Sequence, residues 1–369
     1  MIALQNKSFL NDIANQFSLG DTSVTEFLIN IFLTIILAYI LGLVYSKYGS
    51  SLSNRKKLKQ TFVLMAITPA LENPTMVLPS EAEYLGENDL IVGYVHNGEA
   101  RAYPHRIFDW HEIINDNING REVAITHCPL TMTSIGWERT YQGKTTTFGV
   151  SGLLYNTNLM PYDRATNSTW TQQGLKCVNG ELIETEVETF PVFETTWDTW
   201  KKMYPDTKVV SDRTGFSRNY GRYPYGDYRT NNDFLLFSVS VNDTRLPQKE
   251  RVHGVIVGEK VKVYQFKNFE TDAILLDTFE GKNVVVVGSI DKNYIVSFYE
   301  KTIGGQVLEF SLDTDISVSL MTDQLGNKWD AFGIAVSGPN EGETLEATRS
   351  FIGMWFSWAP FYPNPVIFE

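Results

Sequence analysis

The apolar positions of this chain form one long run near its start and many short runs after it. Residues 27–45 read FLINIFLTIILAYILGLVY and carry no charged side chain. A run of roughly 20 mostly apolar residues matches the thickness of a bilayer. The pattern therefore predicts a transmembrane helix at residues 27–45, preceded by a polar N-terminal segment at residues 1–26.

The charges around the predicted span bear on its orientation. Lys and Arg cluster at residues 55–59, after the span, whereas the acidic residues Asp12, Asp21 and Glu26 lie before it. Since cytoplasmic flanks are rich in Lys and Arg, this favours a cytoplasmic large domain. A second apolar run, residues 62–67, is short and is closed by Pro69. If that run also crossed, the large domain would lie outside, and both alternatives stay open.

Beyond a basic segment and a proline-containing linker, residues 46–80, the pattern changes to that of a β-rich domain. Ile107, His111, Ile114 and Ile118 fall at helical spacing and predict a helix over residues 105–118. A second, shorter helix is predicted around Trp200. Short β-branched runs predict strands at residues 123–126, 145–148, 175–178, 261–264, 284–287 and 294–298. The expected fold class is mainly β with some α (α+β).

Two stretches of the globular part resemble each other and predict an internal repeat. The matching positions keep one offset in the first part of the repeat, and the offset shortens at the aspartate pair and again at the final tryptophan motif. They are Gly93 and Gly254, Arg101 and Lys262, Tyr103 and Tyr264, Asp163 and Asp323, and Trp197-x-x-Trp200 and Trp355-x-x-Trp358. We therefore predict two similar β-rich modules, residues 81–210 and 252–369, joined by an aromatic connector at residues 211–251.

Composition narrows the classes of function. The net charge of -12 and the pI near 5.0 argue against a nucleic-acid binder, which needs a basic face. Cys128 and Cys177 are the only cysteines, so a four-thiolate zinc site is excluded. A single bridge between them would require an oxidising compartment, and the alternative of two free thiols stays open.

The repeat is chemically asymmetric, and this asymmetry predicts the candidate site. His111, His127 and Cys128 correspond to Asp272, Gly288 and Ser289, so the second module is degenerate at these positions. Cys128 is the candidate nucleophile, with His111 and Arg164 as its catalytic partners. The same atoms could instead hold a transition metal through His111, Cys128 and His127. An inert buried thiol is the third alternative.

Position along the strand decides between the two histidines. His127 and Cys128 adjoin on a predicted strand, so their side chains should face opposite sides. His111 is therefore the better partner for Cys128. A polar pocket beside them is predicted from Ser151, Asn156 and Tyr162 as substrate-binding residues.

Several motifs resemble the bacterial and archaeal family known as domain of unknown function 3179. They are Asp109-Trp-His-Glu112, Cys128-Pro-Leu130, residues 147–156 and Tyr162-Asp-Arg164. The resemblance implies no particular activity, but it implies an extracytoplasmic domain behind a signal or anchor. In many members the central motif reads Cys-Pro-Leu-Cys or Cys-Pro-Leu-Thr-Gly. This chain continues with Thr131 and Met132 and so lacks both the second cysteine and the glycine, which argues against dithiol redox chemistry.

Two functions from different classes follow. The first is a membrane-anchored protein with a Cys/His site for thiol chemistry or metal binding, whether or not it is an enzyme. The second is a non-catalytic binding or assembly module in a membrane complex, with the connector and the repeat interface as its working surface. The expected partners are the membrane and other membrane proteins, and not nucleic acid.

Overall fold

A computed structural model describes residues 68–317 and 319–369 of the chain. The described residues 68–215 and 220–369 belong to one compact unit, and residues 216–219 belong to another. Nowhere in residues 68–317 and 319–369 is there a helix with the length and apolar character to span a bilayer. The predicted span at residues 27–45 and the polar segment at residues 1–26 lie outside the described residues.

Residues 68–210, the first half, are mainly strand. Two α-helices, α1 (His105–His111) and α2 (Trp197–Met203), and a 3₁₀ helix (Pro79–Glu81) interrupt the strands. The strands are β1 (Leu71–Glu72), β2 (Met76–Val77), β3 (Leu90–His96), β4 (Glu99–Pro104), β5 (Ile113–Ile118), β6 (Arg121–Cys128), β7 (Thr133–Glu138), β8 (Thr140–Tyr141), β9 (Lys144–Thr145), β10 (Phe148–Tyr155), β11 (Asn158–Asp163), β12 (Thr169–Thr171), β13 (Lys176–Asn179), β14 (Thr189–Phe190), β15 (Phe193–Thr196) and β16 (Lys208–Val210).

Residues 251–369, the second half, are also mainly strand, with 3₁₀ helices at Phe266–Phe269 and Trp355–Ser357. The strands are β17 (Arg251–Val257), β18 (Lys260–Gln265), β19 (Ala273–Phe279), β20 (Lys282–Ser289), β21 (Tyr294–Tyr299), β22 (Thr302–Ile303), β23 (Gln306–Val307), β24 (Phe310–Leu312), β25 (Met321–Asp323), β26 (Lys328–Trp329), β27 (Ala335–Ser337), β28 (Arg349–Met354) and β29 (Val366–Ile367). The predicted mainly β class is therefore confirmed.

Each sheet of the second half has the strand order of a sheet in the first half, and the sheets of the first half have the additional strands β1, β2 and β14. The first half contains sheets in the orders β15-β3-β4-β16-β2, β1-β5-β6-β7-β14 and β10-β11-β12-β13. The second half contains β28-β17-β18-β29, β19-β20-β21 and β24-β25-β26-β27. In the first sheet named for each half, an antiparallel hairpin (β3-β4 or β17-β18) lies in the middle. An antiparallel strand from later in the chain pairs with one side of the hairpin, and a parallel strand pairs with the other. The module boundaries themselves remain a prediction.

Matching glycines hold a tryptophan against the hairpin in each half. A Cβ atom at Gly93 would lie 2.3 Å from the ring of Trp200, and one at Gly254 would lie 2.2 Å from Trp358. Only glycine leaves room for these rings. Both tryptophans are fully buried. Trp200 and Trp358 are therefore core anchors that pack on β3 and β17.

The two halves also share their cores. One apolar cluster joins Trp137 and Trp170 of the first half to Trp355 and Trp358 of the second. Another joins Trp197 and Trp200 to Trp329. Because these two clusters draw on both halves, each half buries part of its apolar surface against the other.

The predicted helix over residues 105–118 is wrong in its second part. Helix α1 ends at His111, and Glu112 has a φ of 57° and a ψ of -35°, which no helix can continue. Residues Ile113–Ile118 then form β5, which pairs along its length with β6. The β-branched Ile113 and Ile114 favour a strand, and this pairing overrides the helical spacing.

Candidate functional site

Cys128 lies at the end of strand β6, as predicted, but deep in the core. Its side chain is 2% exposed, and both cysteines are free. The sulfur lies 3.7 Å from the carbonyl oxygen of Thr157. Burial, and then the neighbouring carboxyl of Glu112, raise the pKa of the thiol to about 11. The thiol is therefore protonated at neutral pH and is a poor nucleophile as it stands.

His111 is held by oxygen partners on both ring nitrogens. Its Nδ1 lies 2.7 Å from the carbonyl oxygen of Pro69, and its Nε2 lies 2.7 Å from the hydroxyl of Tyr220. The ring is fully buried at the end of α1. The hydrogen bonds found in the described part of the chain do not join it to Cys128. Its contacts are those of a histidine that ties the linker and the connector to α1.

His127 faces away from Cys128, as the strand period predicts. Its Nδ1 lies 2.8 Å from the hydroxyl of Ser134, on the neighbouring strand β7. Within residues 68–317 and 319–369, no group of three or more His, Cys, Asp or Glu side chains is placed to hold a metal ion. The proposed ligands His111, Cys128 and His127 thus have different surroundings.

The predicted substrate-binding residues are engaged in local structure. Ser151 accepts a hydrogen bond from the amide of Leu153, 3.0 Å away, at an irregularity in strand β10. The Asn156 side-chain oxygen accepts one from the amide of Ser240, at 2.8 Å. The ring of Tyr162 covers Gly149.

Arg164 is likewise occupied. Its guanidinium lies 2.7 Å from the carboxylate of Glu72 and 2.9 Å from the hydroxyl of Thr147. By contrast, Asp163 lies in a buried network that includes the Nε1 donor of Trp170, at 3.1 Å. Asp323 and Trp329 repeat that bond at 2.9 Å in the second half, which indicates a structural role for Asp163.

The connector covers the motifs that carry the family resemblance. Residues 211–250 contain no strand or helix, and the part from 220 to 240, here called the strap, lies against the first half. The strap contacts three of the four motifs, and it also contacts Thr157. These contacts are Tyr220 with His111, Arg222 with Trp110, Tyr223 with Pro129, Arg229 with Asp109, Phe237 with Thr157, and Ser240 with Asn156.

A cleft lies between the two halves, away from Cys128 and His111. This seam cleft has a volume of about 350 Å³ and is bounded by β7, β14 and β15 on one side and by β17, β21 and β28 on the other. Ligand sites of this size hold small molecules. None of Cys128, His111, Ser151, Asn156, Tyr162 and Arg164 lines it.

The floor of the seam cleft is polar and buried. Glu194 from β15 and His253 from β17 line it, with exposed fractions of 6% and 3%. Oε1 of Glu194 pairs with Arg251, whereas Oε2 has no hydrogen-bond donor among the described residues. The Nε2 of His253 lies 2.7 Å from the hydroxyl of Ser297, and its Nδ1 has no hydrogen-bond partner in that same part of the chain.

A pair of histidines stands behind this floor. The rings of His105 and His127 are 4.3 Å apart, and both are fully enclosed. His105 Nε2 lies 3.3 Å from Glu194 Oε2 but not in hydrogen-bond geometry. Burial lowers the pKa of both rings, and the charges of the nearby arginines lower that of His127 further. Both imidazoles are therefore neutral at neutral pH.

The polar residues of the floor occupy positions at which the two halves differ. Strand registers make Ser134 equivalent to Ile295, since they lie opposite His127 and Gly288. The registers of β15 and β28 likewise make Glu194 equivalent to Ile352 and His253 equivalent to Val92. Each polar side chain of the floor therefore has an apolar equivalent.

The comparisons with known proteins agree with the motifs. A family model described as a protein of unknown function, DUF3179, matches residues 66–365. The chain belongs to the DUF3179 family. The match covers both halves and the strap between them. No curated protein and no solved structure matches the chain.

Sequence reasoning found His127 but missed Glu194, His253 and Ser297. The signal was present, because the constant offset that pairs His127 with Gly288 also pairs Val92 with His253 and Gly136 with Ser297. The predicted asymmetry covered only positions at which the first half carries the polar residue. The structure shows that the second half supplies part of the polar floor.

Proposed function

We propose that this DUF3179 protein binds a small molecule in the seam cleft, in line with the expected non-catalytic binding module. One observation carries the proposal. Two nearly fully buried polar residues, Glu194 and His253, line a cavity of ligand size, and each has one polar atom without a hydrogen-bond partner among the described residues. Buried polar groups are normally satisfied, so such residues in the lining of a cleft mark a place for ligand contacts.

We propose further that residues 27–45 anchor the protein in a membrane, so that the cleft is displayed beside a bilayer. The length and composition of that run support this. The family resemblance supports an extracytoplasmic domain and the flanking charges support a cytoplasmic one. Protease protection of the domain in sealed vesicles decides between the two sides.

The binding proposal is tested by blocking the cleft. Val192 is half-buried and lines the cleft, whereas Val241 is 49% exposed and does not. Val192→Trp should abolish the rise in melting temperature that a bound ligand gives, because ligand stabilisation requires occupancy. Val241→Trp is the matched control and should keep it. Equal responses of both variants to every compound that binds would reject the cleft as the site.

A Cys128 site is the second candidate function, and the backbone at Glu112 favours it. A non-glycine residue at φ 57° and ψ -35° is strained, and such strain concentrates at functional sites. Burial raises the pKa of this carboxyl to about 8, and its charge in turn raises the pKa of the Cys128 thiol. Metal analysis and thiol labelling of the native protein and of Cys128→Ala test this candidate. A metal-free, unreactive Cys128 would leave it without support.

A further inference from the structure

We infer that the ligand of the seam cleft is a short apolar peptide, bound in an extended conformation along the outer edge of strand β28. This inference rests on the proposed function and names the ligand class of that site. It is carried by the position of β28 at the end of its sheet, by the direction of its backbone groups and by the apolar side chains of the cleft.

Strand β28 is an edge strand, and it lines the seam cleft with residues 349–352. Among the described residues, its one strand partner is β17. The outer edge, on the side away from β17, is held at both ends. Thr348 N donates to the carbonyl oxygen of Ser297 at 3.1 Å, and Met354 N donates to that of Thr131 at 2.8 Å.

These two end contacts fix the direction of the backbone groups between them. In an antiparallel pair, successive residues direct their N–H and C=O groups alternately toward the partner strand and away from it. The register of β28 with β17 is continuous, so Ser350 and Ile352 point the same way as Thr348 and Met354. Within residues 68–317 and 319–369, no backbone group bonds to the outward N–H and C=O of Ser350 and Ile352.

This arrangement is the one that an added β-strand requires. Ser350 and Ile352 lie two positions apart, and each presents one donor and one acceptor on the same side. An antiparallel peptide of about three residues can exchange a pair of hydrogen bonds with each of them. A ligand without a peptide backbone does not match this alternation of donors and acceptors.

The opposite wall of the cleft also ends in unpaired backbone groups. Strand β14 pairs with β7 at Gly136, and Glu138 N donates to the carbonyl oxygen of Glu188 at 2.9 Å. By the same alternation, Ser134 directs its backbone groups to the side of β14, but the pairing stops at Phe190. In the described part of the chain, no backbone group bonds to Ser134 on that side. Ser134 lines the cleft and so offers a further donor and acceptor to the peptide.

The walls favour apolar side chains on the peptide. Ile135, Phe190, Val296 and Phe351 are apolar and line the cleft. The side chains of an extended peptide alternate between its two faces, and those that meet these walls are removed from water. The volume of about 350 Å³ lies at the lower end of the range of ligand sites, so the peptide is short.

The test titrates the full-length protein in nanodiscs with two peptides by calorimetry. They are acetyl-Val-Ala-Val-amide and the same peptide N-methylated on every residue. Methylation keeps the side chains but removes the main-chain donors, so the methylated peptide should bind at least about tenfold more weakly. Val192→Trp should remove the binding of the parent peptide, which separates cleft binding from partition into lipid.

A proline locates the pairing on β28. Ser350→Pro removes an N–H that points away from β17, and prolines are accepted at such edge positions. It should weaken binding of the parent peptide at least about tenfold, because a donor is lost and the ring lies at the pairing edge. Ser350→Ala is the matched control, since it keeps the N–H and should bind like the wild type. The melting temperature of each variant without peptide shows whether it is folded.

The outcomes separate this inference from the proposed function. If the methylated peptide binds as tightly as its parent, and Val192→Trp removes both, main-chain pairing is overturned and the cleft remains the site. If a folded Ser350→Pro variant binds the parent peptide as tightly as Ser350→Ala does, the pairing on β28 is overturned. If Ser350→Pro is unfolded, the methylated peptide decides.

Two further outcomes concern the ligand class. If neither peptide binds, but another compound raises the melting temperature of the wild type and not that of Val192→Trp, the peptide class is overturned and the cleft remains the site. If neither peptide binds and no compound distinguishes the wild type from Val192→Trp, both proposals are overturned.

Discussion

The two halves of the molecule share a scaffold and differ in what they bury beside it. Tyr103 donates to Asp116 and Tyr264 donates to Asp277, both at 2.7 Å. By contrast, His127 of the first half corresponds to Gly288, where an added Cβ would lie 2.7 Å from the ring of Phe269.

The equivalent of Phe269 in the first half is Phe108, whose ring lies 5.5 Å from that of His127. The second half has thus replaced a buried imidazole by close ring packing. Contacts that both halves keep are therefore structural, and positions that are polar in one half alone are the candidates for function.

The largest effects should come from the shared tryptophans. Trp200→Ala and Trp358→Ala should each lower the free energy of unfolding by about 3–5 kcal/mol, because each leaves a large cavity against a glycine. Urea unfolding of both variants measures this. Costs that differ by more than about 2 kcal/mol would mean that the two anchors are not equivalent.

The next largest losses of stability should come from the aspartates that both halves share. Asp163 and Asp323 each accept hydrogen bonds from backbone amides of the next turn and from a buried indole. Asp163→Ala and Asp323→Ala should each cost about 2–3 kcal/mol, since several donors lose a charged acceptor. Arg164→Ala, which removes a partly exposed ion pair, is the control and should cost less than about 1 kcal/mol. A small effect at either aspartate contradicts a shared structural role.

Lowering the pH should reduce stability through His253 of the second half, a titrating residue whose equivalent in the first half is the apolar Val92. Its folded pKa of about 3 lies below the unfolded value near 6.5, so the unfolded chain takes up a proton first as the pH falls. Its contribution to stability is full above pH 6.5 and decreases by about 1.4 kcal/mol per pH unit below it.

This is measured as the free energy of unfolding between pH 7 and pH 4.5. His253→Gln should give a flatter curve than the wild type. Ser297→Ala removes the hydrogen bond but keeps the titrating ring, and it should retain the wild-type slope. An unchanged slope in His253→Gln would show that this imidazole is not held neutral.

The smallest expected effect concerns the strap, and it tests whether the strap protects the Cys128 thiol of the first half. Tyr223 donates to the carbonyl oxygen of Pro129, at 2.9 Å, beside the buried thiol. Tyr223→Phe removes about 1 kcal/mol from this contact, so alkylation of Cys128 should become about fivefold faster through local opening. Mass mapping of the labelled peptide follows the rate, with Tyr155→Phe as the control. Equal rates in the three proteins would show that the strap does not protect the thiol.

Much of the scaffold could be predicted because its signals are local or repeated. The β-branched runs at 284–287 and 294–298 lie in strands β20 and β21, and the helix near Trp200 is α2. The opposite facing of His127 and Cys128 follows from the strand period and is observed. The helix over residues 105–118 failed after His111, because the pairing of β5 with β6 is a long-range contact that residue spacing does not encode.

The candidate site was less accessible to such reasoning. The sequence placed Cys128 at a strand end but did not reveal its burial, because Cys128 packs in one apolar cluster with residues far along the chain, such as Tyr228 and Trp355. Nor did it place Glu194 beside His253, since these residues come from different halves.

The amino-acid sequence by itself determined the family, the mainly β class and the repeated anchors. These depend on local motifs and periodicities, which can be recognised in the sequence. Only the tertiary structure decided where polar groups meet. The seam cleft forms where strands from both halves approach each other, so its chemistry is a property of their packing. The sequence alone identified the unusual residues, and the fold decided which of them share one surface.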